Sequence, residues 1–423
     1  MALSEPIRKL LVLDTAFTLE GIRERQVEHS VTCRDLAGFF EHVWSVHPFA
    51  SLSTSEAWGP RYGRPSTYEL APRHTVIEGK LGRFSSLSWA MPFNFLIAQS
   101  SLWIALLRLI RREKISAVRV GSPLYVGLFG LALARSARVP FIIRVGANND
   151  KYFETTGRPV EPRLTRSRKI EKWLERFIFR RADLVAAANQ DNLNFALANG
   201  ARSELSTIFR YGNLVDPRHF IEPGKRNIDA KVLQRLGVEE RQFLLYVGRL
   251  EPIKQPDHVI EVLAYVRRRG FDVKAILAGD GTMRAVLQAQ AASLAIGDSV
   301  MIVGNLDQER LAQLFAKAAA VVSPHTGRAL TEAALGTAPI VAYDVDWQSE
   351  LIETGVTGIL VPHGDVHAMA GAVAQLLTDR AQARGFGVAV RDRALELLDP
   401  EALDEHERQE YRKLLGGRGR QDP

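Results

Sequence analysis

Between Phe243 and Asp365, short apolar runs alternate with helix-length patterns, and nothing else in the chain limits its fold as strongly. The runs FLLYVG, VKAILA, SVMIVG, AAVVS, PIVAY and TGILV are rich in Val, Ile and Leu. They do not alternate with polar residues, which suits strands covered on both faces of a parallel sheet. Strands are expected near 243–248, 273–278, 299–304, 319–323, 339–343 and 357–361. Helices between them make this a doubly wound α/β domain.

Ligands of such sheets bind beyond the carboxyl ends of the strands. Gly248, Arg249 and Lys254 follow the first strand, Asp280 and Gly281 the second, and Gly304 and Asn305 the third. The loop after the fourth strand holds His325, Gly327, Arg328, Ala329 and Leu330. Arg249 and Lys254 flank a turn ending at Pro256, a favourable first-turn residue for a helix. Two cations beside a helix N-terminus suit a diphosphate, because fixed charge, free N–H groups and the helix dipole all favour an anion. Glu332 lies in the helix that starts near Gly327. A carboxylate there can accept hydrogen bonds from ribose hydroxyls.

VGRLEPIK, AGDG, TEAALGTAPIVAYD and SELIETGVTGILVPHGD occur in that order. Together they resemble the donor-binding half of retaining glycosyltransferases of family 4 (glycosyl transferases group 1). The resemblance implies a GT-B type α/β fold, two Rossmann-like doubly wound domains facing across a cleft. It implies that Arg249 and Lys254 hold a nucleotide diphosphate, that Glu332 binds ribose, and that no cofactor or metal is needed. Two departures stand out. The family carries a second Glu eight positions before Glu332, where this chain has Pro324; His325 is then a candidate for part of the sugar contact. Family histidines are replaced by Arg119, Gly121 and Val145. Asp344-Val345-Asp346 imitates a metal-binding acidic pair, but in this block it reads as an ordinary strand exit.

Residues 1–216 are expected to form the acceptor domain, 217–395 the donor domain, and 396–423 a helix crossing back, broken at Pro400, with 415–423 frayed. The 423 residues suffice for two cores. One cysteine, Cys33, excludes an intrachain disulfide and suits a reducing compartment. The first apolar run, Leu10 to Leu13, is shorter than a secretory signal needs, so a cytoplasmic location is expected. The net charge is +7, and residues 1–216 carry 30 Lys+Arg against 20 Asp+Glu. A basic first half points to an anionic partner: a membrane surface, a phosphorylated lipid carrier or nucleic acid. The basic residues lack interleaved aromatic platforms, so no nucleic-acid partner is expected.

In the first half, strands are expected at 8–14, before His47, and over 116–123 and 139–150. A helix is expected over 22–40 and an irregular loop over 51–75. Segment 92–114 reads first as a buried core helix, next as an interfacial helix and last as a membrane span, and 162–181 reads as a basic amphipathic helix. The latter either packs on the sheet or rests on anionic lipid at the inner face of a membrane. Five acceptor-side candidates sit at strand ends: His47, Arg144, Asn148, Asn149 and Asp150. His47 reads first as a histidine satisfied in a loop and second as an acceptor contact, and Asn148 to Asp150 read equally as a plain turn.

The expected activity is retaining transfer from a UDP- or GDP-sugar to a glycan or lipid-linked acceptor, in cell-surface polysaccharide synthesis. A phosphorylase of the same fold lacks a cofactor-lysine signature. A catalytically silent sugar-nucleotide-binding or scaffold protein is the alternative from another class.

Overall fold

The computed structural model describes residues 8–162, 165–226, 231–325 and 327–416. The chain forms two compact units. One runs to Leu214 and resumes at Pro400; the other is Val215–Asp399.

In the first unit, β1 (Lys9–Leu13), β2 (His42–His47), β3 (Ser66–Ala71), β4 (His74–Glu78), β5 (Ala117–Val120), β6 (Phe141–Val145), β7 (Leu184–Ala187) and β8 (Ser206–Ile208) form one sheet. Its order is β3-β4-β2-β1-β5-β6-β7-β8, and only β3 runs antiparallel. Alternate residues of each strand face opposite layers. Leu11, Leu13, Val118, Val120 and Ile143 pack under helices Met91–Glu113, Tyr125–Ala137 and Arg168–Phe179. Leu10, Val12, Ala117 and Ile142 face Phe40, Phe209 and Tyr411.

Tyr411 belongs to helix Pro400–Gly416, which is anchored by buried charge. Arg144 Nη1 donates to Glu407 Oε1 at 2.7 Å, and Arg119 Nη1 to Tyr411 Oη at 3.2 Å. The change of unit falls at Asp399 rather than 395 because helix Arg380–Leu398 buries Phe386, Val390, Ala394 and Leu398 in the second core. Of the segment expected to fray, residues 417–423 lie outside the described residues.

Three local expectations change. Residues 66–78 form the β3–β4 hairpin rather than an irregular loop, turning at Pro72-Arg73 with Arg73 at φ 69°. The helix expected over 22–40 stops at Arg25, where Gln26 adopts φ 51°, and Leu36 and Ala37 are also left-handed. Helix Met91–Glu113 has only one face in the core; Phe93, Leu96 and Ile104 are exposed on the other.

In the second unit, β9 (Phe243–Val247), β10 (Lys274–Ala278), β11 (Val300–Gly304), β12 (Ala320–Ser323), β13 (Ile340–Asp344) and β14 (Ile359–Pro362) form an all-parallel sheet. The order is β11-β10-β9-β12-β13-β14. This doubly wound order reverses between β9 and β12, which makes their carboxyl ends the topological switch point.

Candidate functional site

The loops leaving β9 and β12 meet at this switch point. After β9 the chain passes Gly248 and Arg249 and makes a single 3-10 turn, Pro252–Lys254. Gln255 then takes φ 49°, and Pro256 opens helix Pro256–Arg268. After β12 the chain passes His325 and Gly327 into helix Arg328–Leu335, whose N-terminus has no side-chain cap. Lys254 Nζ lies 3.2 Å from His325 Nδ1. With Lys254 an ammonium, the imidazole nitrogen is the acceptor.

Burial, reinforced by the nearby charge of Arg249, lowers the Lys254 ammonium to about 8, while Asp346 pulls the other way. Arg249 is solvent-exposed, and no ion pair holds its guanidinium among the described residues. Glu332 is 6 % exposed, in the second turn of its helix. The site therefore gathers two cations, a histidine and an uncapped helix end around one strand junction, with Glu332 one turn further along that helix. Such a set can hold a diphosphate attached to a polyhydroxylated group.

The other second-unit candidates fall into different positions. A Cβ on Gly279 would lie 1.9 Å from the Gly248 carbonyl oxygen, and one on Gly281 2.4 Å from that of Leu250. These glycines let the β10 exit pass beneath the β9 exit, where Leu250 N donates to Asp280 O at 3.0 Å. The Asp280 carboxylate accepts from Arg284 Nε at 3.1 Å and Gly281 N at 2.9 Å. Gly304 and Asn305 leave β11, two strand spacings, or roughly 10 Å, from the switch point. The Leu330 side chain is in the core, so only its backbone faces a ligand question. Arg328 and Ala329 form the first turn of their helix. Asp344 is exposed, and Asp346 adopts φ 59°.

Sequence reasoning missed Gln348. It is fully buried, accepts from Ser323 Oγ at 2.9 Å and donates to Tyr343 O at 2.8 Å, tying the β12 and β13 exits together. Gln348 stands among Asp344, Asp346, Ser349 and Glu350, so no local pattern set it apart.

In the first unit, the acceptor-side candidates are not gathered. His47 ends β2 and Asn148 follows β6, three strand spacings apart, roughly 14 Å. His47 is buried, which lowers its imidazole to about 4 and keeps it neutral near pH 7. Its Nδ1 accepts from Phe49 N at 3.3 Å. Arg144 is engaged by Glu407 and by the carbonyl of Phe209 at 3.0 Å. Asn148 caps helix Asn149–Thr156, Asn149 donates to Glu175 at 2.8 Å, and Asp150 accepts from Arg168 at 2.8 Å. These contacts are the turn reading of that run. Also missed was a buried pair near His47. Arg34 Nη2 donates to Asp14 Oδ2 at 2.6 Å, and Arg34 Nη1 to Ser45 at 2.9 Å. Burial pushes the Asp14 carboxyl up, but the Arg34 charge, the hydrogen bonds from Ala16 N and Arg34, and the charge of Arg119 together hold it below the usual range.

Two doubly wound units, the second with two cations at its switch point, place the chain in the α/β class. Over 95 % of its length the chain superposes on 98 % of HepE from Anabaena, solved with UDP and glucose, at TM-score 0.70 and 19 % identity. The fold is thus GT-B type. The model of the glycosyl transferases group 1 family matches residues 230–393, which lie within the second unit. Among curated relatives, the chain is similar to alpha-D-kanosaminyltransferase of Streptomyces kanamyceticus, 29 % identical over 58 % of this chain and 64 % of the relative. It is also similar to the GDP-mannose-dependent alpha-(1-6)-phosphatidylinositol monomannoside mannosyltransferase of Mycolicibacterium smegmatis. That match is 30 % identical over 40 % of this chain and 47 % of the relative. The chain therefore spans between about half and two thirds of the length of these relatives.

Proposed function

We propose that this protein is a retaining glycosyltransferase. It moves a sugar from a UDP- or GDP-sugar to a hydroxyl of a glycan or lipid-linked saccharide, in cell-surface polysaccharide synthesis at the inner face of the membrane. The observation that carries the reading is the Lys254–His325 contact, which joins the β9 and β12 exits beside Arg249 and an uncapped helix end. The diphosphate sits there, and Glu332 accepts from the ribose hydroxyls. His325 and Arg328 border the sugar in place of the carboxylate that Pro324 leaves out.

As the sugar–phosphate bond breaks, the diphosphate gains negative charge. Arg249, Lys254 and the helix N–H groups stabilise that charge where it develops, the role a metal fills in other transferases. The acceptor oxygen attacks from the face the diphosphate leaves, so configuration is retained without a protein nucleophile. The name of the GDP-mannose-dependent mannosyltransferase supports a nucleotide-activated donor and a lipid-borne acceptor.

A thermal-shift panel of UDP, GDP, ADP and their sugar conjugates tests the donor site. A ligand bound only by the native state raises Tm by mass action. One nucleotide should stabilise the protein, and Arg249→Ala should remove the shift. No shift with any nucleotide at millimolar concentration sinks the reading. Pro324 favours a second reading, a sugar-nucleotide-binding protein without turnover. A nucleotide shift with no transfer to any of a panel of lipid-linked and free glycans would select it.

A further inference from the structure

The layer of three helices over the first sheet has an unusual outer surface. Helix Met91–Glu113 buries Ala98, Leu102, Leu106 and Ile110 against the sheet. The opposite face should then be polar. Instead it carries Phe93, Leu96 and Ile104 at helical spacing, with Phe93 61 % and Leu96 62 % exposed. Trp89, one turn earlier, is 82 % exposed. Helix Arg168–Phe179 repeats the pattern. Its inward face holds Leu174, Ile178 and Phe179 with the ionic set Arg168, Glu171 and Glu175, while Ile170 and Trp173 face solvent, Trp173 at 64 %. Helix Tyr125–Ala137 packs on the same side of the sheet and adds exposed Leu128. The outer faces of the three helices therefore make one surface.

Charge decides what covers it. Between Gly79 and Asn149 the chain has a single acid, Glu113. Glu113 is taken up by Lys9 at 3.3 Å and Arg112 at 3.0 Å. Both acids of helix Arg168–Phe179 are buried. The apolar stripe of the first helix runs into Arg108, Arg111 and Arg112, and Lys169, Arg176 and Arg180 flank Trp173. A second copy of the chain on this face would set arginine against arginine. The helix is tied to its own unit rather than free to span a bilayer, with Asn94 and Gln99 donating to the carbonyls of Phe84 at 2.6 Å and Pro48 at 3.0 Å.

We infer that this face lies on an anionic lipid bilayer, with helix Met91–Glu113 in the membrane plane. Apolar side chains enter the acyl boundary, tryptophans sit at the headgroups, and the arginines meet lipid phosphates. The inference is independent of the transferase reading.

Flotation of the full chain at low salt, without nucleotide, tests it. Vesicles of phosphatidylcholine with phosphatidylglycerol should carry the protein, and phosphatidylcholine alone should carry much less. The Phe93→Ser, Leu96→Ser double variant and the Arg108→Glu, Arg111→Glu double variant should each lower partition about tenfold or more. Brominated lipid should quench the wild-type tryptophan emission, and Trp89→Phe with Trp173→Phe should remove that quenching. This readout stands even where a double variant fails to fold. Absence of flotation overturns the inference. So does binding unchanged by the Phe93→Ser, Leu96→Ser pair. A concentration-dependent dimer that this pair dissolves and that ignores vesicles would give the face to a second copy instead.

Discussion

Lys254 combines a fixed position with a shifted charge equilibrium. Burial and Arg249 bring its ammonium to about 8 in the free protein. Only the charged form attracts a diphosphate, and a bound diphosphate raises the ammonium again. If the diphosphate sits beside Lys254 as proposed, nucleotide binding above pH 8 is coupled to proton uptake. Between about pH 7 and 8 the affinity for the diphosphate should change little; above pH 8 it should fall by up to about tenfold per unit. Titration calorimetry across that range reads the slope. Lys254→Arg should flatten it, since a guanidinium stays charged there. Lys254→Ala should weaken binding by about 1.5–3 kcal/mol at neutral pH, again without a slope. A wild-type affinity that is flat up to pH 9 would remove Lys254 from the diphosphate site.

Helix Pro400–Gly416 is held by charges that the core has closed over. Glu407 lies between Arg144 at 2.7 Å and Arg119 at 3.8 Å, with its side chain 2 % exposed. Removing it leaves two buried guanidinium groups without their carboxylate. Glu407→Ala should destabilise the first unit by about 3–5 kcal/mol. Tyr411→Phe removes one hydrogen bond while the ring packing stays, and should cost about 1 kcal/mol. Denaturant titrations of the two variants separate the cases. Near-equal losses would mean that the helix is held by apolar packing alone.

The same helix shows where the sequence is legible and where it stops. The strands of the second unit are apolar runs flanked by Gly, Pro and charged residues, so β9 to β14 and the Gly248–Lys254 turn could be placed from local pattern. The β3–β4 hairpin could not, because edge strand β3 is half exposed and offers no apolar alternation. Arg144 read as an acceptor contact because it stands at a strand end; its partner Glu407 lies 263 residues away. No local rule reports a pairing at that separation. Likewise Ile170 and Trp173 sit at spacings that suit burial, yet the inward face of their helix is filled by Leu174, Ile178 and Phe179 together with the Arg168–Glu175 pair at 2.8 Å.

For the molecule as a whole, the chain order and the unit order differ, since residues from Pro400 onward complete the first unit after the second has been made. Ending the chain at Asp399 should therefore damage the unit that is farther away in sequence. It would uncover Phe40 and Phe209, which pack around Tyr411 at ring distances of 5.0 and 6.0 Å, and would strand Arg119 and Arg144. The second unit keeps its own cores and the Lys254–His325 junction. Hydrogen exchange of the truncated protein should show lost protection in β1, β5 and β6, with β9 to β14 unchanged. Nucleotide affinity should stay within about threefold of the full chain, as expected for sites that share no partners. Loss of protection in β9 to β14 would mean that the second unit depends on the first for its folding. Full protection of β1, β5 and β6 would mean that the buried ion set contributes nothing to holding that sheet.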